Sequence, residues 1–198
     1  MIDLRVYRII TCTAMAGPGL RYCIWTQGCS RHCEGCMATE TWSFEGGTQI
    51  DADDLTADIL SVVNRGDTGI EGITFLGGEP FEQAAAAARI AASVKEHNLS
   101  VVVFTGFSID ELQKSTDEST SLLLKSIDML VDGPFIKELF DISRPWVGSS
   151  NQKYHFLTDR YNTESIMAFH NQIEIRISPD GKSLVNGMGD FRKIKNLL

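Results

Sequence analysis

Apolar positions in this chain fall into short runs separated by longer amphipathic stretches. "YCIWT" (22–26), "GITFL" (72–76), "SVVVFTG" (100–106) and "DMLVDG" (128–133) are brief, β-branched or wholly apolar, and read as buried strands. Between them lie segments of helical period. In "DADDLTADILSVVNRG" (51–66), Leu55, Ile59, Val62 and Val63 share a face, acids fill the first turn and Gly66 marks the end. "FEQAAAAARIAASVKEH" (81–97) is a strong helix former. "SIDELQKS" carries Ser108 with Glu111 three residues on, a capping-box pattern. "IEIRISPDGKSLVNG" (173–187) predicts an antiparallel hairpin turning at Pro179-Asp180-Gly181. The tail "FRKIKNLL" is compatible with a short helix.

Repeated strand–helix units with fully apolar strands imply an α/β fold, with a parallel sheet covered by helices. Three predicted strands end alike, in Gly77-Gly78-Glu79-Pro80, Thr105-Gly106 and Asp132-Gly133. In parallel α/β folds, ligands bind at the carboxyl ends of the strands. Taken singly, these endings also suit ordinary turns. The 198 residues suit one domain, with no repeat or linker. The 18 basic and 26 acidic residues leave a net charge of −8, which argues against nucleic-acid binding through counterion release. No apolar run is long enough for a membrane span, and the N-terminus has no signal-peptide pattern.

Five cysteines make a poor disulfide framework, and three crowd into "GCSRHCEGC". A reducing, cytoplasmic setting with thiolates free for metal is expected. Cys29, Cys33 and Cys36 are compact enough to converge on one centre. Thiolates suit zinc or iron–sulfur. A closed zinc site would want a fourth ligand, from His32, Cys12 or Cys23. A [4Fe–4S] cubane held by three cysteines would leave one iron open to a small molecule. Cys12 and Cys23 otherwise read as small hydrophobes. Trp25, Trp42 and Trp146 read as core or rim packing. His97, His155 and His170 read as surface or satisfied core residues.

The C-x3-C-x2-C spacing after a strand resembles the radical S-adenosylmethionine (SAM) superfamily. "FLGGEP" resembles that family's SAM-binding glycine motif. Gly77 and Gly78 permit close backbone approach, and Glu79 can accept from an ammonium. "AGPGLR" (16–21), "QGCSRHCEGCMATETW", "VDGPF" (131–135), "RPWVGSSNQKYHFL" (144–157) and the closing hairpin resemble the activases of glycyl radical enzymes, in particular those of anaerobic ribonucleotide reductase. Met37 and Ala38 depart from the aromatic and Asn usual there, and Gly189 stands where a proline is common.

The resemblance implies a single radical SAM domain over residues 1–198, folded as an incomplete, TIM-like β/α barrel with a cluster loop at 29–36. It implies a [4Fe–4S] cluster on Cys29, Cys33 and Cys36. SAM would lie against Gly35, Cys36, Met37, Gly77 and Gly78, with Glu79, Thr105, Asp132, Ser150 and Asn151 as further candidates. Asn151 is equally open to a turn-capping role. The implied activity is that of an oxidoreductase like the formate-C-acetyltransferase-activating enzymes. Reductive cleavage of SAM would give a 5′-deoxyadenosyl radical that abstracts hydrogen from a partner's glycine. The partners would be a glycyl radical enzyme and a flavodoxin- or ferredoxin-type reductant. A peptide-modifying or small-molecule radical SAM enzyme, and a non-catalytic metal-binding module, remain open alternatives at this level.

Overall fold

The computed structural model describes residues 2–66 and 69–189; the 191–198 tail, read above as a short helix, lies outside them. Its strands are β1 (Asp3–Thr13), β2 (Leu20–Thr26), β3 (Thr48–Asp51), β4 (Ile70–Gly77), β5 (Ser100–Phe104), β6 (Met129–Asp132), β7 (Lys153–Phe156), β8 (Ile173–Ile177) and β9 (Ser183–Gly187). Its helices are α1 (Ala52–Asn64), α2 (Ala84–Glu96), α3 (Ile109–Gln113), α4 (Glu118–Ser126) and α5 (Thr163–Met167). Seven strands form one open sheet in the order β3-β1-β2-β4-β5-β6-β7, and β8 and β9 pair separately.

The expected parallel arrangement holds at the centre, where β2, β4, β5 and β6 run side by side. The flanks differ from it. β1 runs antiparallel to β2 and to β3, and β7 runs antiparallel to β6. Of these flanking strands, β1 and β3 precede the first α-helix, and β7 follows β6 through a connection that holds only a short 3-10 turn (Lys137–Leu139).

Helices and sheet meet through the side chains the period predicted. Leu55, Ile59 and Val62 of α1 and Ala87, Ile90, Ala91 and Val94 of α2 pack with Leu123 of α4 on one face. Tyr22, Ile24, Ile73, Phe75, Val101, Val103 and Leu130 meet them from the sheet. The alanines of α2 add no side-chain entropy cost and let the helix approach closely. Asp51 caps α1 by accepting from the amides of Asp53 (2.9 Å) and Asp54 (3.3 Å). The capping box at α3 is present in both directions, between Ser108 and Glu111.

The opposite face carries Arg21, Cys23 and Trp25 of β2 and Thr74 of β4. Trp146, Val147 and Ile166 cover one part of it against Val102, Met129 and Val131. Leu184 of the β8–β9 hairpin covers another, against Ile10, Ala16, Cys23 and Trp25. Asn186 holds the hairpin by donating to Thr13 Oγ1 (3.1 Å), which donates in turn to Glu174 (2.9 Å). Trp25 and Trp146 are buried, as expected.

Candidate active site: a three-cysteine loop at the carboxyl edge of the sheet

The cysteine loop begins where β2 ends, and backbone pairing closes it. Gly28 donates to Thr41 O (2.7 Å) and Cys29 to Trp42 O (3.1 Å). Two glutamines secure this neck. The Gln27 amide donates to Glu40 O (3.1 Å) and Ser43 O (2.7 Å), and the Gln83 amide to Gln27 O (2.9 Å) and Arg5 O (3.0 Å). Gly28 has φ +101°, and a Cβ there would lie 2.6 Å from the Phe44 ring, so only glycine fits. Inside the loop, Cys36 N–H donates to Cys33 O (3.1 Å), closing a tight turn around Gly35.

The sulfurs sit in different surroundings. Cys29 is buried, and the main-chain amides of Arg31 and His32 point at it. Burial pushes its thiol pKa up, those amides oppose the shift, and the nearby Glu79 and Cys33 add to it. Cys36 Sγ accepts from Ala38 N–H (3.4 Å). The His32 ring stacks on Trp42 (centroids 4.6 Å apart), which turns it away from the thiols.

Outside, the loop is pinned to the connections that follow three strands. Ser30 donates to Glu82 after β4. Arg31 pairs with Glu111 (3.3 Å) and lies over the Phe107 ring (4.7 Å) after β5. Glu34 pairs with Lys137 (2.9 Å) after β6, and Phe135 packs where a Cβ on Gly35 would come within 3.3 Å. Except for Glu111, which the sequence marks only as a capping residue, these pinning residues carry no sequence motif of their own. Their one signal is position, since each follows a strand end.

The glycine motif joins the same edge. Gly78 N–H donates to Thr26 O (2.9 Å) and Glu79 N–H to Gly28 O (2.8 Å). A Cβ on Gly78 would lie 2.4 Å from Gly28 O, so this glycine permits two backbones to close together. Glu79 is only 1% exposed. Its carboxylate accepts from Phe81 N (3.0 Å), Thr105 Oγ1 (2.8 Å) and Gly106 N (2.8 Å). Burial raises its pKa to about 7 against the pull of those donors. Glu79 therefore ties the ends of β4 and β5 together.

The remaining candidates are spread along that edge. Thr105 is spent on Glu79 and on Phe107 N–H (3.1 Å). Buried Asp132 accepts from Ile109 N–H (2.7 Å) and lies 3.0 Å from His155 Nε2. Asn151 donates to Pro134 O (2.8 Å), and its buried Oδ1 has no partner among the described residues. Ser150 is exposed, and Met37 is 75% exposed at the loop's tip.

Among the described residues, no three Cys, His, Asp or Glu side chains surround a point where a single ion could sit. A structural zinc ion needs that convergence. A cubane does not, because each thiolate takes a different iron and the sulfurs spread around the cluster. One orphan donor fits such a sulfur-rich group. Trp42 Nε1–H is buried beside the loop and no described acceptor receives it. Three thiols, inward amides and this indole N–H are a donor set suited to an iron–sulfur cluster.

Similarity to known proteins agrees. Residues 15–155 match the family model of the 4Fe-4S single cluster domain, which stops short of the β8–β9 hairpin. The anaerobic ribonucleoside-triphosphate reductase-activating protein of Vibrio cholerae is 36% identical over 151 residues, covering 72% of this chain and 91% of that protein. The proteins of the same name from Escherichia coli K12 (31% identical, 71% of this chain and 91% of that one) and phage T4 (27%, 77% and 94%) also match. Among solved structures, QueE from Escherichia coli aligns over 54% of each chain at 17% identity with a TM-score of 0.41, too slight to bear on the architecture. The chain belongs to the radical SAM activase group, in the family of the anaerobic ribonucleoside-triphosphate reductase-activating proteins.

Proposed function

We propose that this protein activates a glycyl radical enzyme, an anaerobic ribonucleoside-triphosphate reductase, using a [4Fe–4S] cluster and SAM. The observation that carries the reading is the cysteine loop. It is closed at its neck by backbone pairing and pinned to the connections after β4, β5 and β6, at the edge where α/β sheets bind ligands. When bound, the cluster supplies one electron for the reductive cleavage of SAM to methionine and a 5′-deoxyadenosyl radical, which takes a hydrogen atom from the partner's glycine.

The chain's own residues position and shield. Cys29, Cys33 and Cys36 would hold the cluster, and Trp42 Nε1–H is the donor we assign to one of its sulfurs. Gly35, Cys36 and Met37 would offer backbone to SAM, and Gly77 and Gly78 would admit its methionine end. With both carboxylate oxygens engaged, Glu79 contributes by fixing Phe81 and Gly106, and Thr105 acts with it. Asp132, Ser150 and Asn151 flank the next strand end, where the unpartnered Asn151 Oδ1 is free to accept from a ligand. Exposed Met37 extends the site's rim toward a protein partner.

The open sheet reads as an incomplete β/α barrel in a single domain. Its unclosed side would admit a glycine-bearing loop. The chemistry is that of the glycyl radical activases, the formate-C-acetyltransferase-activating type included. A flavodoxin- or ferredoxin-type protein would supply the electron in a cytoplasmic setting. Among the described residues no helix is long and apolar enough to cross a membrane.

The test is anaerobic. Reconstituted protein with dithionite and SAM should release 5′-deoxyadenosine and methionine, measured chromatographically. Cys29→Ala, Cys33→Ala and Cys36→Ala should each abolish the release. Release that survives all three substitutions would defeat the assignment.

A further inference from the structure

Strand β1 begins by sending Leu4 and Val6 to the helix-covered face. Alternation alone would send Arg8 the same way. A register shift against β2 between Val6 and Arg8 prevents this, inserting Tyr7 as an extra residue. Beyond the shift, Arg8 stands opposite Trp25, Ile9 packs with the helix-side core, and Ile10 joins Cys23 and Trp25 on the other face. A bulge of this kind re-aims a side chain, and here it re-aims a cation.

The Arg8 guanidinium lies 4.3 Å above the Trp25 ring. Its Nε is buried and no described acceptor receives it. None of the ion pairs among the described residues includes Arg8. Partial burial lowers its pKa, with Tyr7 and then Glu40 acting in the opposite direction. An arginine remains charged under such a shift. The place also matters. A Cβ on Gly77 would fall 2.7 Å from Trp25 Cβ, so the stacked pair adjoins the glycine motif. A planar guanidinium held 4.3 Å over an indole, with its buried Nε unreceived among the described residues, suits a carboxylate, which a guanidinium can grip with two parallel hydrogen bonds.

We propose that Arg8 recognises a carboxylate entering beside Trp25 and Gly77. This rests on the activase reading, which supplies two sources of that group: the methionyl carboxylate of SAM, or a carboxylate on the protein substrate.

The experiment compares the reconstituted full-length protein with Arg8→Met and Arg8→Lys. Equilibrium dialysis measures binding of SAM and of decarboxylated SAM. A second arm measures affinity for the anaerobic ribonucleoside-triphosphate reductase encoded in the same genome. Loss of a charge-assisted pair should weaken binding of the carboxylate-bearing partner about tenfold or more in Arg8→Met, with partial recovery in Arg8→Lys. A loss for SAM without a loss for decarboxylated SAM assigns the methionyl carboxylate. A loss for the reductase with SAM unchanged assigns the protein. Equal losses for SAM and decarboxylated SAM, or no loss in either arm, overturn the proposal and leave Arg8 as a packing residue. Wild-type protein that binds no SAM refutes the activase reading itself, and Arg8's role with it.

Discussion

Arg21, the last residue of "GPGLR", is 0% exposed and forms no ion pair among the described residues. Its Nε donates to Thr74 Oγ1 (2.6 Å). Its Nη1 reaches Pro18 O (3.0 Å), Ser100 Oγ (3.0 Å) and Tyr161 Oη (3.4 Å), and its Nη2 reaches Ser100 O (3.0 Å) and Ile73 O. One guanidinium thus joins β2, β4, β5 and the segment after β7. It does so at the start of β2, about 16 Å along the strand from Thr26 and the cysteine loop. Replacing Arg21 by Met keeps much of the volume and removes every donor. The hydroxyls retain other bonds: Thr74 donates to Ala16 O (2.8 Å), Ser100 to Glu71 O (3.1 Å) and Tyr161 to Ser100 Oγ (2.8 Å). The carbonyls of Pro18, Ile73 and Ser100 lose the Arg21 bonds, at about 1–3 kcal/mol for each acceptor left unsatisfied. Relief from burying an uncompensated charge returns part of that. The net expectation is a loss of about 3 kcal/mol, read from urea unfolding of the wild type and Arg21→Met. Arg21→Lys keeps the charge but cannot reproduce the fork, and should also be destabilised. A variant within about 0.5 kcal/mol of wild type would refute the structural account. If that stable variant also failed to cleave SAM, the motif would belong to the chemistry.

Three further outcomes follow from the site. Burial holds Glu79 up to about 7, above its usual 4.5, so the fold favours the protonated carboxyl. Its contribution is complete below about 4.5 and is lost as pH rises to about 7, by about 3 kcal/mol in all. Relative to Glu79→Gln, wild-type stability should therefore fall across that window in urea titrations, and parallel profiles would contradict this. Gly78→Ala would press a methyl against Gly28 O, so it should cost about 1–3 kcal/mol and lower the iron content of reconstituted protein. Trp42→Phe keeps the stack on His32 but removes the orphan N–H. Iron content should stay unchanged while the cluster's reduction potential moves negative in an EPR-monitored titration, and an unmoved potential would dismiss the hydrogen bond.

What could be read in advance follows from how local each signal is. The β4, β5 and β6 strands, the α1 and α2 helices, the Ser108–Glu111 box and the 173–187 hairpin rest on periods and caps within a few residues, and they appear where expected. Strand β1 has no legible period because the shift at Tyr7 breaks its alternation, leaving Arg8 and Ile10 on one face and Leu4 and Val6 on the other. Strand β7, "KYHF", is short and half-buried, and helix α4 buries only Thr120 and Leu123, so neither shows a strong period. At the site, the cysteine spacing and the glycine motif were legible because their chemistry is written in neighbouring residues. The pinning of the loop was not, since Arg31 meets Glu111 and Glu34 meets Lys137 only after folding. Glu79 shows the same limit. Its carboxyl group suggested an acceptor for a ligand, and only the fold reveals that Phe81, Thr105 and Gly106 already occupy it. His155, read as a surface or satisfied histidine, is half-buried with its Nε2 3.0 Å from the Asp132 carboxylate, a partner that only the pairing of β6 with β7 brings near.

The central claim is that this three-cysteine loop serves radical transfer to a glycyl radical enzyme. The direct measurement is electron paramagnetic resonance on the anaerobically reconstituted protein mixed with reductant, SAM and the anaerobic ribonucleoside-triphosphate reductase of the same genome. The account predicts a glycyl doublet that requires SAM and disappears with Cys29→Ala, Cys33→Ala or Cys36→Ala. Absence of the doublet with wild-type protein that loads iron and cleaves SAM would contradict it.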